Sequence, residues 1–190
     1  LYQQAADGGS ARSLCALGLM YAAGEAVPAD PARGADLCRR AAETGDANAQ
    51  TDLGDFYRKG EGVAQDYGLA RLWYERAAAQ RQGNAAFHLG VLDWNGLGGP
   101  ADLVAAGGWF QRAYEAGRRD AALAAAFAAF NRAVPNAPHG PVDTIPLAEA
   151  KHWFEIAMTE DPDPESRAEA AVMLAQISGY EQMAREASVD

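Results

Sequence analysis

The residues of this sequence with the chemistry for catalysis or metal binding are three histidines, two cysteines and a scatter of carboxylates. His88, His139 and His152 each stand alone, without the second ligand or base at the spacing that a zinc site or an acid–base pair needs. The sequence holds no His-Glu-x-x-His helix, no Gly-x-Ser-x-Gly elbow, no phosphate-loop lysine and no calcium-loop spacing. Gly96-Leu97-Gly98-Gly99 has the glycines of a phosphate-binding turn, but no strand precedes it. Asp161 and Asp163 lie beside prolines, a setting that suits N-capping and turn formation rather than a glycosidase-like carboxylate pair. These residues therefore predict no catalytic centre, no cofactor and no metal.

The elements that must position them follow from a repeat. Almost every notable residue between Ala47 and Gln82 has a counterpart 36 places earlier or later. Leu53, Gly54, Tyr57, Gly60, Gly62, Asp66, Ala70, Trp73, Tyr74 and Ala77 are echoed by Leu17, Gly18, Tyr21, Gly24, Asp30 and Ala41, and by Leu89, Gly90, Gly96, Gly98, Asp102, Ala106, Trp109, Phe110 and Ala113. Apolar residues recur at helical spacing on both sides of a glycine-rich break, so each unit reads as helix, turn and helix. Gly96 to Gly99 occupies the slot of Gly60 to Val63 and is a turn.

Each marker has a physical task. Gly18, Gly54 and Gly90 lie inside helical patterns, where Gly costs about 1 kcal/mol against Ala; their recurrence predicts a partner helix crossing too closely for a side chain. Gly60 and Gly62 supply the positive φ that ends the first helix. Asp30, Asp66 and Asp102 stand where the second helix needs an N-cap. Trp73, Trp109 and the following alanines are expected to form the buried stripe of that helix.

The run from Ala49 to Ala78, Ala-x3-Leu-Gly-x2-Tyr-x2-Gly-x-Gly-Val-x2-Asp-x3-Ala-x2-Trp-Tyr-x2-Ala-Ala, resembles the Sel1-like repeat (SLR), a relative of the tetratricopeptide repeat. The resemblance implies an all-α fold, a right-handed α/α solenoid of antiparallel helix pairs, and a role in scaffolding protein complexes rather than in catalysis. It extends over 1–190 as one solenoid of about four and a half units: 11–46, 47–82, 83–118 and 119–160, with a C-terminal helix and cap over 164–187. Leu1 to Ala6 align with Leu37 to Ala42, so the sequence is expected to open within the second helix of an earlier unit, as an array cut from a longer chain would. In the fourth unit Ala126 stands where Gly stood, and the proline-rich link from Val134 to Pro146 is read as about eight residues longer than its equivalents. The next helix is expected to resume near Leu147, and the last to run over 165–178 with a short cap after Gly179. Cys15 and Cys38 would lie on antiparallel helices at similar heights. A disulfide is conceivable there, but two small buried hydrophobes are favoured, because the second and third units lack matching cysteines.

A net charge of −10 argues against a nucleic-acid backbone or an anionic membrane as partner. It suits a basic partner surface or simple solubility. No run of eighteen apolar residues is present to cross a bilayer. The alanine, arginine and glycine bias suits a bacterial cytoplasmic or periplasmic protein. On tetratricopeptide-like geometry the first helices line the concave face. Their outward positions are Arg12, Cys15, Leu19 and Ala22, then Asn48, Thr51, Asp55 and Arg58, then Asn84, Phe87, Val91 and Trp94, then Asp120, Leu123, Phe127 and Phe130. The expected partner site is the apolar set Phe87, Val91, Trp94, Leu123, Phe127 and Phe130, edged by Asp55, Arg58, Asn84 and Asn131, taking a segment of a protein partner. An envelope- or cell-wall-associated enzyme and a passive spacer within a larger multidomain protein are the alternatives.

Overall fold

An aspartate sets the start of the second helix in each of the first three units. Asp30, Asp66 and Asp102 accept from the backbone N–H of Arg33, Leu69 and Ala105 at 3.0, 2.9 and 2.9 Å. The same residues also tie back to the preceding helix through the main chain. The N–H of Asp30 donates to Tyr21 O, that of Asp66 to Tyr57 O and that of Asp102 to Asp93 O, at 2.8, 2.9 and 2.8 Å. In the fourth unit Asp143 N–H repeats the bond to Ala133 O at 2.9 Å. One residue thus caps one helix and satisfies an orphan carbonyl of the other.

The computed structural model describes residues 10–135 and 141–187, which are helical apart from their short connections. The expected leading helix over 1–8, His139 and the centre of the proline-rich link lie outside the described residues. The helices are α1 (Ala11–Ala23), α2 (Pro31–Glu43), α3 (Ala47–Lys59), α4 (Tyr67–Ala78), α5 (Gly83–Asn95), α6 (Leu103–Glu115), α7 (Ala121–Ala133), α8 (Thr144–Glu160) and α9 (Pro164–Ala187). They cluster as two compact units, 1–92 and 93–190. In the first, α1 packs on α2, α2 on α3 and α3 on α4; in the second, α6 packs on α7, α7 on α8 and α8 on α9. This is the all-α architecture of helix pairs that the 36-residue period predicts.

The marker glycines meet close neighbours. A Cβ at Gly54 would lie 2.5 Å from Tyr74 Cε1. A Cβ at Gly18 would lie 2.6 Å from the carbonyl oxygen of Gly34, and one at Gly34 equally close to that of Gly18. The two crossings are solved differently because Cys38 holds the position that Tyr74 holds one period later. With no ring to accommodate, α1 and α2 approach backbone to backbone, and Cys38 is bonded to Cys15 with their Cα atoms 4.1 Å apart. The expectation of two free buried cysteines is therefore corrected. The second repeat carries no cysteines; at the position of Cys38 it has Tyr74, whose ring lies against Gly54.

The buried stripe of the second helices is displaced by one residue from the expected one. Ala70, Tyr74 and Ala77 are buried on α4, and Ala106, Phe110 and Ala113 on α6. Trp73 and Trp109 are half-buried beside these stripes. The Arg76 guanidinium lies over the Trp73 ring at 4.5 Å and that of Arg112 over Trp109 at 4.6 Å, a cation–π cover from the next turn. On α8 both Trp153 and Phe154 are buried.

The C-terminal half corrects two expected boundaries. Helix α8 begins at Thr144 rather than near Leu147, with the Asp143 side chain accepting from Ile145 N–H at 3.0 Å. Pro146 falls in its first turn, where a missing N–H leaves no intrahelical bond unmade. The link is therefore shorter than the prolines suggest. Helix α9 runs unbroken through Gly179, where a Cβ would meet nothing within 4 Å. A lone exposed Gly weakens a helix without ending it when no αL turn follows. Asp163 accepts from Ser166 N–H at 3.0 Å, and Asp161 Oδ1 accepts from Asp163 N–H at 2.9 Å, so this acidic pair caps α9 and shapes the turn, as expected.

Candidate partner-binding surface

Asp55 and Arg58 sit three residues apart on one face of α3, the spacing that brings side chains of opposite charge together. Arg58 Nη2 lies 2.9 Å from Asp55 Oδ1. The Tyr74 hydroxyl, reaching across from α4, donates to the same oxygen at 2.7 Å, and Arg58 Nε donates to the Tyr74 oxygen at 3.2 Å. His88 of α5 stacks on the Tyr74 ring with centroids 5.1 Å apart, its Nε2 3.8 Å from Asp55 Oδ1. Three helices of the first unit converge on one carboxylate.

The electrostatics of this cluster are those of a structural ion pair. Burial opposes ionisation of Asp55, but the Tyr74 hydrogen bond, the nearby His88 and Arg58 outweigh it and hold its carboxyl below the usual carboxylate range. Burial, with the hydrogen bond to Asp55, pushes the Tyr74 phenol well above its ordinary value. Arg58 is raised, since its bonds to Asp55 and Tyr74 outweigh its burial. A general acid or base works best with its pKa near the working pH. Here each group is driven away from neutrality.

A cleft of about 580 Å³, with Asp55 in its lining, opens between α1 and α3. Its apolar lining comes from Ala16, Leu19, Met20, Ala22 and Ala23 of α1 and Phe56 of α3. Among the described residues its charged lining is Glu25, Asp52, Asp55 and Glu61, against the single cation Lys59. Leu19 keeps 43% of its surface exposed here, while Phe56 is buried and forms the floor.

Asp52 differs from its neighbour. It projects from α3 one helical turn before Asp55, and its Oδ2 lies 3.5 Å from Cys15 Sγ. That sulfur is spent in the disulfide and carries no proton to donate. Among the described residues Asp52 has no ion pair. Burial, followed by the charges of Asp55 and Asp46, pushes its carboxyl up to about 6, and Lys59 opposes this only weakly. Sequence reasoning missed Asp52, Tyr74 and the partnership of His88. The only available signal was the spacing of Asp52 and Asp55 along α3.

The expected site residues fall as follows. In the first unit Phe87 and Val91 are half-buried and Asn84 is exposed on α5. In the second unit Trp94 is half-buried with its ring 6.4 Å from that of Phe110. Phe127 meets the buried Phe154 edge-on at 5.2 Å, and Phe130 lies between Phe154 at 6.4 Å and Tyr180 at 5.8 Å. Leu123 and Asn131 are half-buried on α7. Two other positions expected to face outward are corrected. Cys15 is buried in the disulfide, and Thr51 is buried with its hydroxyl donating to Ala47 O at 2.8 Å.

Comparison with known proteins agrees with the helix-pair fold. The family model described as Sel1 repeat matches residues 11–46, 47–81 and 83–117. A crystal structure of a protective antigen present in uropathogenic Escherichia coli strains, displaying an SLR fold, is 28% identical with a TM-score of 0.73; the match covers 92% of this chain and 36% of that one. A Sel1 repeat protein from Oxalobacter formigenes is 25% identical with a TM-score of 0.67, over 87% of this chain and 61% of that one. A Sel1 repeat protein from Klebsiella pneumoniae subsp. pneumoniae, at 21% identity and a TM-score of 0.58, bears on the fold alone. The chain spans less than two thirds of the first two of these relatives. No curated protein matches it significantly.

Proposed function

Because the chain belongs to the Sel1 repeat family, whose solenoids are commonly protein-interaction scaffolds, we propose that it is a non-enzymatic adaptor holding a segment of a partner protein on its first-helix surfaces. The observation that carries this reading is the cleft between α1 and α3. It is open, it mixes an apolar floor with charged walls, and it lies between the first helices of successive repeats. Such a lining suits a peptide with alternating apolar and polar side chains. The strongest polar cluster beside it, Asp55 with Arg58 and Tyr74, has its protons fixed away from neutrality, which favours a rigid wall over a reacting centre.

First helices of the later repeats carry further candidate residues. We assign to partner binding Phe87, Val91 and Asn84 within the first unit, and Trp94, Leu123, Phe127, Phe130 and Asn131 within the second, with Asp55 and Arg58 as the polar edge. Affinity capture with the chain as bait, followed by mass spectrometry, supplies partners for quantitative binding. Trp94→Ala should then lose about 1–2 kcal/mol of affinity, the usual scale of an interface hot spot, while the circular dichroism spectrum stays unchanged. Undiminished binding, or loss of helicity on that substitution, returns Trp94 to a packing role. Failure of every captured protein to bind in purified form would remove the adaptor reading itself.

A further inference from the structure

The charged groups around the cleft between α1 and α3 are unbalanced in one direction. Among the described residues Glu25, Asp52, Asp55 and Glu61 face it, with Lys59 alone in opposition. Asp55 is already occupied by Arg58 and Tyr74. Asp52 is not. Its neighbours are the sulfur of a disulfide on the α1 side, the like charges of Asp55 and Asp46, and Lys59, which offsets them only in part. A half-buried carboxylate without a donor is a cost to the folded chain, removed once a cation arrives. Next to it, Leu19 exposes an apolar side chain above Met20 and the Phe56 floor. The cleft thus offers one vacant anionic position and one apolar shelf within the same 580 Å³.

We propose that this cleft takes a segment of a partner protein that presents a lysine or arginine side chain to Asp52 and an adjacent large apolar side chain to Leu19, Met20 and Phe56. The proposal rests on the adaptor reading and gives it a partner chemistry. Charge complementarity selects the occupant: an acidic segment would meet four carboxylates, and a purely apolar one would bury Asp52 with nothing to pair it. The long side chains of lysine and arginine can lie along an apolar wall while the charged end reaches the carboxylate. Rim charges at Glu25 and Glu61 would draw such a segment in and make its association sensitive to salt.

The test is to pan a phage-displayed library of random dodecapeptides on the chain with its disulfide intact. Enriched peptides are then synthesised and titrated by fluorescence anisotropy. The expected consensus places a basic residue beside a large apolar one. Its binding should weaken at least about tenfold on Asp52→Asn, a substitution that keeps the shape of the side chain, and should also weaken on Leu19→Ala and at raised salt. Circular dichroism of both variants checks that the helices persist. Enriched peptides without a basic residue, or binding indifferent to Asp52→Asn, would overturn the cation site and leave the adaptor reading standing. A concentration-dependent dimer abolished by Asp52→Asn would instead assign the cleft to a second copy of the chain. No enrichment of any peptide would count against both readings.

Discussion

Tyr74 lies across Gly54 and bonds to the residue that follows it. Its ring passes so close that a Cβ on Gly54 would fall 2.5 Å from Cε1, and its hydroxyl reaches Asp55 Oδ1 at 2.7 Å. The absence of a side chain at one position therefore permits a polar contact at the next, and packing and electrostatics in the first unit share a single ring.

Gly54→Leu should accordingly destabilise the chain by about 1–3 kcal/mol, the usual cost of forcing bulk into a filled core. Gly108→Ala is the control, because a Cβ there would meet nothing within 4 Å and Gly108 lies inside a helix. That change should raise stability by up to about 1 kcal/mol. Urea melts of both variants beside the parent chain check the pair. A neutral Gly54→Leu would mean that Tyr74 can swing aside without loss.

The disulfide joins residues 23 apart in sequence. Closing a loop of that size should stabilise the native state by about 3 kcal/mol on a chain-entropy account. The double substitution Cys15→Ala with Cys38→Ala should lower the melting temperature by roughly 6–12 °C for a domain of this size. Hydrogen exchange should rise first in α1 and α2. Dithiothreitol should reproduce the shift in the parent chain and leave the double variant unmoved.

Asp52 and Asp55 should respond to pH with opposite signs. Burial raises Asp52 to about 6, above its unfolded value of about 3.9. Between these values the folded chain binds more protons than the unfolded one, so the contribution of this group to stability falls as pH rises. Asp52→Asn should therefore gain about 1 kcal/mol near neutral pH, a figure reduced for solvent screening, and gain little near about pH 4. Asp55 is held below the ordinary carboxylate range, so its contribution is present at neutral pH and lost as pH falls through the unfolded value towards the lower folded one. Asp55→Asn should cost about 1–3 kcal/mol near neutral pH through loss of its charged hydrogen bonds. Denaturant midpoints of the three proteins across that range separate the two cases. Equal slopes for both variants would contradict the assignment.

Arg81 has φ +63°, at the position where the neighbouring units place Gly45 with φ +96° and Gly117 with φ +97°. A left-handed backbone costs a residue with a Cβ about 1–2 kcal/mol, partly offset by the greater freedom that Gly gains in the unfolded chain. Arg81→Gly should thus raise the melting temperature by roughly 1–4 °C. A fall would show that the Arg81 side chain contributes more than its backbone costs.

The repeat was legible because its markers have main-chain tasks that few residue types can do. Asp66 must cap, and Gly60 must turn with φ +71°. Such positions hold their residue type at the full period. The face of a helix was less legible, since Trp73 and Tyr74 are adjacent and both are large; only the position of Gly54 decides which ring is buried. The disulfide was hidden for a related reason. Cys38 is the one-period counterpart of Tyr74, so the first repeat solves the same crossing with different atoms and leaves no cysteine pattern to repeat. Asp52 was hard to read because its burial beside the Cys15 sulfur depends on residues far off in sequence, and only the nearby Asp55 was in view. The partner surface is the least legible part, because half-buried rings such as Phe127 and Phe130 read alike in sequence whether they meet Phe154 or a ligand.

The joint between the two helices of each repeat is closed by a main-chain donor and a main-chain acceptor. The acceptor belongs to Tyr21, Tyr57, Asp93 and Ala133 in turn, so an aromatic, an acidic and an aliphatic residue serve alike. A joint made this way cannot register mutations at the acceptor residue unless they move the backbone, and at the donor residue only proline removes it outright. Lineages of such repeats can therefore exchange most surface side chains while each elbow keeps its angle, which leaves the outward faces free to be rewritten for new partners.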